Sequence, residues 1–395
     1  MEKALSTLLD KTRICLVTHE FTWGAPHELF NYIKTFRPQL LVFITHPFYY
    51  SKKRHSEVKI LEKGKLINAI KLKPRTFTPL IDYLLDSIST LFFLIKRKKK
   101  FDLYIGADCL NAFIGILLRK MRLVSTVIYY SIDYVPKRFK NSFLNSIYHL
   151  LDMLVAKKSD FTWNVSPRMG EIRIRRAGSN ISRQLTVPVP INLEEVATTM
   201  NNEKNIYSMI YSGSLREEVG LELVLEAFPS LKTKFPNLKL TIIGEGPLLE
   251  YYSRLIKERN LDNDVAFLRY IESRSEFIKL LSSHGVGLAI YKPLKNSFNK
   301  YADIGKVKTY AACGLPTIIT KGSYTADDVH KAGAGIAINY EIEEFKKAAM
   351  TLISSKKVYE NYSKNALKYA KTFSYDNVYE KPLLMALTRM QCIRN

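Results

Sequence analysis

The chain has 395 residues, 47% of them hydrophobic and 25% charged, with a formal net charge of +23. That is length for two domains of ordinary size and apolar material for two cores, which excludes a bulk-disordered chain. Four cysteines, at 15, 109, 313 and 392, have neither metal-ligand spacing nor a disulfide framework, and they point to a reducing compartment.

The opening MEKALSTLLDKTRICLV carries acidic residues within ten positions and no signal-peptide core, so export is not expected. Apolar runs then predict buried strands at RICLVTHE (13–20), QLLVFITH (39–46), FDLYIGAD (101–108) and LVSTVIYYSID (123–133), with shorter strands at 163–167 and 185–190. Helical patterns at 27–36, 80–96, 109–119 and 141–157 follow or separate them. This alternation predicts a parallel sheet with helices on both faces. VPVPINLEEVATTMNNEKN reads as an extended crossing segment and linker, because Pro188 and Pro190 favour extended backbone.

A second alternating set starts at IYSMIYSGS (206–214) and runs through a helix at 219–234, NLKLTIIGEG (237–246), a helix at 247–259 and DVAFLRY (264–270). A helix at 273–283, GVGLAIYKP, the stretch NKYADIGKVKTYAACGLPTII (299–319) and AGIAINY (334–340) follow, and a helical region broken near FSYDN completes the chain. The fold class expected is α/β, with two doubly wound Rossmann-like domains facing a central cleft: 1–190, a linker at 191–205, 206–375, and a closing helix at 376–395. In open parallel sheets ligands bind beyond the carboxyl ends of strands, so strand-end residues are the site candidates.

The charge is uneven. Residues 1–190 hold 32 Lys or Arg against 14 Asp or Glu, and the remainder 28 against 23. A positive first half suits a polyanion or an anionic membrane surface. No zinc-finger spacing, recognition-helix signature or RNA-binding aromatic motif accompanies it, so nucleic acid is not the expected partner. Residues 80–100, LIDYLLDSISTLFFLIKRKKK, join an apolar stretch to five basic residues. Asp82 and Asp86 interrupt it, leaving it short of the roughly 20 apolar residues of a spanning helix. A helix packed on a sheet with a solvent-facing basic end, or a monotopic surface contact, are the readings it leaves.

Three strand-to-helix turns of the second half stand out: SGSLREEVG (212–220), IIGEGPLLEYYSRL with Gly244 and Gly246, and ADIGKVKTY with Gly305 and Lys306. Glycine lets backbone approach a neighbour or ligand closely, amides at a helix start cradle phosphate, and a lysine adds mobile charge. Each turn alone is as well explained by local packing; their common position after strands of one domain is the signal.

With the GSL turn, the IIGEGP strand end and KVKTYAACGLPTII, residues 206–375 resemble the large retaining glycosyltransferase family with the two-domain B-type fold, family 4 or group 1. The resemblance implies sugar transfer, of a hexosyl group, from a nucleotide-diphosphate sugar to a glycan or lipid-linked acceptor. It also implies retention and a last helix crossing back onto the first domain. No acidic run resembles a divalent-ion aspartate pair, so no metal or other cofactor is expected. The setting expected is cytoplasmic, peripheral at the inner face of the cell membrane, in polysaccharide or cell-envelope synthesis.

The chain departs from the family pattern. Ser214 and Val219 stand where Arg and Lys are usual, and Tyr301 and Thr309 where the paired glutamates are usual. Arg216 is the candidate substitute for the first charge. Lys306 and Asp303 border the same turn, with Lys306 expected on the diphosphate and Asp303 on the donor sugar or in loop order. Gly213, Ser214, Gly246, Gly305 and Tyr310 complete the nucleotide-side set. In the first half, Gly24 is the counterpart of the loop that approaches the donor phosphates, with His19, Trp23 and His27 as substrate candidates beside it. Asp133, just past a strand, is the catalytic candidate there, or else a structural carboxylate held by Arg138. Lys137 and Arg138 are candidates for an anionic acceptor. A sugar-nucleotide epimerase or phosphorylase, or a non-catalytic glycan-assembly subunit, would share this fold.

Overall fold

In a computed structural model describing residues 2–20, 24–48, 55–72, 78–200, 203–294 and 298–394, the chain divides into two units. One is Met1–Pro190 with Tyr375–Asn395, the other Ile191–Ser374.

The first unit opens with α1 (Glu2–Asp10), β1 (Arg13–Glu20), α2 (Ala25–Thr35) and β2 (Leu40–Pro47). A hairpin follows, β3 (Glu57–Glu62) and β4 (Lys65–Lys71), then α3 (Pro79–Lys96), β5 (Phe101–Ala107), α4 (Cys109–Lys120) and β6 (Val124–Ser131). Next come α5 (Ser142–Lys158), β7 (Phe161–Asn164), α6 (Pro167–Ala177) and β8 (Gln184–Thr186). The sheet runs β4-β3-β2-β1-β5-β6-β7-β8. Its core strands are parallel, as the apolar runs predict, and β3 and β4 join antiparallel at one edge. The hairpin departs from the purely parallel expectation. β4 is exposed almost throughout and so lacks an apolar run, while its turn residues Lys63 and Gly64 both take positive φ (50° and 78°), as a two-residue hairpin turn requires.

The second unit begins with α7 (Leu193–Thr199), where the prolines predict a linker. Asn192 caps it by accepting from the Glu195 amide at 3.1 Å, and Glu194 and Glu195 suit the positive end of its dipole. Then β9 (Asn205–Ser212), α8 (Leu221–Lys234), β10 (Lys239–Ile243), α9 (Leu249–Glu258), β11 (Val265–Leu268), α10 (Arg274–Ser282) and β12 (His284–Ala289) alternate. They continue as α11 (Gly305–Ala312), β13 (Thr317–Thr320), α12 (Tyr324–Lys331), β14 (Gly335–Ile338), α13 (Ile342–Ile353) and α14 (Lys356–Lys371). The all-parallel sheet runs β11-β10-β9-β12-β13-β14, the doubly wound order in which direction of travel reverses between the first and fourth strands. Met209, Tyr211, Leu240, Ile242 and Leu288 form its centre with Val224 and Phe228 of α8.

The chain returns to the first unit through a π turn, Asp376–Glu380, and α15 (Lys381–Arg394). Three tyrosines fasten the return to α2: Tyr375 donates to Glu28, Tyr379 to the Ala25 carbonyl at 2.9 Å, and Tyr32 to Asp376 at 2.9 Å.

A buried ion pair organises the other end of the first sheet. Arg173 of α6 donates to Asp152 of α5 at 2.7 Å, to Ser131 Oγ of β6 at 2.8 Å and to Asn164 of β7 at 2.7 Å. Both charged side chains are almost wholly buried, so removing one strands the other without water or counter-charge. Arg173→Met should therefore cost about 3–5 kcal/mol in chemical denaturation, and Asp152→Asn added to it should recover part of the loss.

Candidate functional sites at the two switch points

In the second unit the order reverses between β9 and β12, and three side chains meet at their carboxyl ends. Lys306, the second residue of α11, holds its ammonium 4.1 Å from the centre of the Tyr211 ring and 5.5 Å from that of Tyr291. Gly213, directly after β9, has φ of +143°, and a Cβ there would lie 2.6 Å from Lys306 Nζ. Gly244, after β10, packs onto the same turn, where its own Cβ would lie 2.1 Å from the Gly213 carbonyl oxygen. The Leu215 amide donates to the Glu245 carbonyl at 2.9 Å, and the Leu248 amide to that of Leu215 at 3.1 Å. The two glycine turns are thus bonded backbone to backbone. Gly246, with φ of +153°, belongs to this contact, its Cβ position lying 2.5 Å from the Leu215 oxygen.

α11 begins open. Ile304 at its N-cap offers no side-chain acceptor, and among the described residues nothing beyond its own helix and chain neighbours lies within 4 Å of where a Cβ on Gly305 would stand. First-turn amides in such a setting bind anions. Burial, with no carboxylate pairing it among the described residues, lowers the Lys306 pKa from 10.5 to about 7. Ser214 and Arg216 are exposed on the turn, and Arg216 makes no ion pair among the described residues.

Two candidates have structural partners: for Tyr310 the sequence reading offered no such role, and for Asp303 it offered loop order as one of two. Tyr310 is fully buried beneath the site; its hydroxyl accepts from the Ser212 amide at 2.8 Å and its ring fills the space beside Gly287. It braces β9 against α11, so its hydroxyl is not offered to a nucleotide. Asp303 pairs with Lys308, and the two side chains are 6% and 1% exposed. Burial lowers the Lys308 pKa, and Asp303 foremost, with Asp328 adding to it, opposes that fall. Thr309 donates back to the Gly305 carbonyl at 3.5 Å, the intrahelical bond its position predicts.

In the first unit the reversal lies between β1 and β5. His19, near the end of β1, places Nδ1 2.9 Å from Asp108, the residue after β5. Asn111 of α4 donates to the same carboxylate oxygen at 2.9 Å, and the Asn111 amide to its other oxygen, also at 2.9 Å. Asp86 of α3 stands 3.7 Å from His19 Nε2, beyond hydrogen-bond reach, and 3.5 Å from His46 Nδ1. His46 is held by Ser56 and Thr90, both at 2.8 Å. Burial alone would lower the His19 pKa, but Asp108 and Asp86 outweigh it and raise the value to about 9. His19 is 3% exposed and Asp108 37%, so the carboxylate is the group of the pair that meets solvent. Asp108 has φ 78° and ψ 164°, a backbone region that side chains rarely occupy and that recurs at functional sites.

The remaining first-half candidates have other surroundings where they are described. Asp133 is engaged by Arg138, whose guanidinium also lies 4.9 Å above the Tyr148 ring, and Lys137 is exposed nearby. This is the Arg138 contact that the structural alternative for Asp133 expects. Gly24 is the extended N-cap of α2, a conformation open to any residue. His27 packs its ring edge-on against Phe43 at 5.4 Å. Trp23 lies outside the described residues. Sequence reading missed Asp108, Asp86, His46, Asn111, Tyr211 and Tyr291. The signal available for Asp108 and Tyr291 was their place just past strands that flank a reversal.

Comparison with known proteins agrees with this architecture. Residues 197–369 match the model of glycosyl transferases group 1. An uncharacterized glycosyltransferase, YqgM of Bacillus subtilis, is 25% identical over 207 residues, which cover 51% of this chain and 56% of that protein. The chain thus spans little more than half of that curated relative, and less of the others it matches. Sucrose-phosphate synthase of Thermosynechococcus elongatus superposes with a TM-score of 0.71 at 15% identity, covering 98% of this chain and 100% of that one. Anabaena HepE, solved in complex with UDP-glucose, gives 0.69 at 13%, covering 96% and 100%. The fold is the two-domain B-type fold of glycosyltransferases, and the second unit is related to those of group 1.

Two outcomes follow from the geometry. Asp303→Asn should destabilise the protein by about 3–5 kcal/mol by leaving Lys308 buried without its counter-charge, whereas Thr309→Val should stay within about 0.5 kcal/mol. Thermal melts of both variants compare them directly. His19 has a raised folded pKa, so its stabilising contribution is complete below pH 6.5 and is lost as pH climbs through about 9. Melts between pH 6 and 10 should show that decline in the parent and a weaker one in His19→Gln.

Proposed function

We propose that the protein transfers a sugar, a hexosyl group, from a nucleotide-diphosphate sugar to a glycan or lipid-linked acceptor, with retention and without a metal ion. One observation carries this reading: an unpaired, half-buried lysine ammonium at a sheet's switch point, beside a helix that starts with open amides. That combination suits a diphosphate, which supplies the counter-charge Lys306 lacks and accepts from the amides of Gly305 and Lys306. The likeness of the second unit to group 1 glycosyl transferases supports it, as does the UDP-glucose complex of Anabaena HepE.

As the glycosidic bond breaks, negative charge grows on the leaving diphosphate and positive charge on the sugar. Lys306 and the first turn of α11 stabilise the former, more strongly than in water because the ammonium is half withdrawn from solvent. Arg216 is free to swing onto the outer phosphate. Asp303 serves as a positioning residue, holding the start of α11 through Lys308. In the first unit, Asp108 rather than Asp133 receives the acceptor: its partly exposed carboxylate accepts from the incoming hydroxyl while His19 and Asn111 fix its orientation. We place the enzyme at the inner face of the membrane, where lipid-linked acceptors are found.

The test is a donor screen, beginning with UDP-sugars and scoring released nucleoside diphosphate with and without a membrane-lipid extract. Turnover that needs no acceptor would point to an epimerase, and binding without release to a non-catalytic subunit. Lys306→Ala should weaken nucleoside diphosphate binding by about 1.5–3 kcal/mol, roughly ten- to hundredfold. The pH dependence has a definite sign. Diphosphate binding recharges a lysine that is half neutral at about pH 7, so affinity should fall as pH rises above that value. Calorimetric titrations at pH 6.5 and 9 should show this fall in the parent and little of it in Lys306→Ala.

A further inference from the structure

α3, α4 and α5 cover one face of the first unit's sheet and share one core, to which they contribute Leu94, Ala112, Ile116 and Val155. The outer surfaces of α3 and α5 are not polar, as solvent-facing helix surfaces usually are. On α3, Ile81, Leu84, Ile88 and Phe92 are exposed at spacings of three, four and four, and Phe92 is 66% exposed. On α5, Phe143, Ile147, Leu150 and Leu154 are exposed at four, three and four, and Phe143 is 73% exposed. These are helical periods, so each set is a continuous stripe along one side of its helix. α4 lies between the two and is recessed, with Phe113 and Leu117 partly covered. Two parallel apolar ridges on one layer exceed the scattered exposure normal for a soluble surface.

The charge around the ridges selects what covers them. The basic run at 96–100 follows α3, Lys157 and Lys158 end α5, and Lys137 and Lys140 precede it, all but Arg97 exposed. Of the three acids on these helices, two are turned inward, Asp152 buried on Arg173 and Asp86 beside the two histidines, while Asp82 in the first turn of α3 is partly exposed and lies at the end away from the basic run. A second copy of the chain would bring like charges together, and a nucleic acid would leave the aliphatic ridges uncovered. We propose that the α3–α5 face is a monotopic docking surface for an anionic lipid bilayer, with the ridges entering the headgroup and acyl boundary and the flanking lysines meeting anionic headgroups. Among the described residues no helix is long and apolar enough to cross a membrane, and lateral docking needs none. Asp86, on the inner side of α3, ties this face to the switch-point histidines.

Vesicle flotation of the full chain tests the proposal and reads no turnover, so it is independent of whether the protein transfers sugar. The parent should float with phosphatidylcholine vesicles containing phosphatidylglycerol at least roughly tenfold better than with phosphatidylcholine alone, and high salt should weaken the binding. Phe92→Glu with Phe143→Glu should reduce recovery roughly tenfold or more while leaving circular dichroism unchanged. A second variant, Lys96→Ser with Lys98→Ser and Lys100→Ser, keeps the ridges and should lose the preference for anionic lipid. Lys306→Ala should float like the parent. Recovery of the double glutamate variant equal to the parent's would overturn the proposal. So would a parent that dimerises through this face, shown by a monomeric glutamate variant in size-exclusion chromatography and no flotation of either. Equal flotation of the parent on both vesicle types, or none on either at low salt, would overturn it as well.

Discussion

The second unit's site depends on one close approach, that of the Lys306 ammonium to the backbone at Gly213. A side chain at Gly213 would occupy the space the ammonium fills, and one at Gly244 would push the Gly213 turn off β10. The lysine therefore has a position only because two turns on neighbouring strands have no side chains, and because Tyr310 ties α11 to the Ser212 amide below. Tyr211 and Tyr291 close the sides of the space with ring faces, which attract a cation without neutralising it. A carboxylate in either place would hold the ammonium charged at all times. Aromatic rings leave it responsive to what binds.

The same logic explains why so much of the second unit was legible in the sequence. Parallel strands buried on both faces are written as continuous apolar runs, and the turns after them are marked by glycine. Elements without such marks were harder to read. β4 is almost fully exposed and has no apolar signature, and α7 follows prolines that favour extended chain, although Asn192 and the two glutamates after it carry a helix-start signal. Tyr310 shows the limit for side chains. Its place near a phosphate-type turn is visible in sequence, but only the fold reveals that its ring points down into the sheet and its hydroxyl is already engaged.

In the first unit, composition misdirects. Asp86 reads as an interruption of an apolar helix, whereas it is one of the two carboxylates that hold His19 charged. Asp133 and Asp108 both stand just past strands, and the sequence reading took up Asp133 and passed over Asp108. The fold separates them by neighbours: Asp133 has Arg138 five residues on, a local partner, while Asp108 is built into contacts with His19 and Asn111 at a reversal of the sheet. Contacts across 89 residues of chain cannot be read from spacing.

The place usually held by paired glutamates now has a physical interpretation. Thr309 spends its hydroxyl on the Gly305 carbonyl, and Asp303 spends its charge on Lys308, so neither brings negative charge to the ammonium of Lys306. The result is a lysine whose pKa burial lowers to about 7, so that its charged form is disfavoured relative to water. A ligand carrying two or more negative charges changes that balance most, since it alone repays the desolvation of the ammonium. A neutral sugar or a nucleoside without phosphates would leave the lysine as it was. On the reading proposed above, a turn without a carboxylate facing Lys306 would place selectivity on the charge of the ligand's phosphates, and the site would gain its positive charge as it is filled.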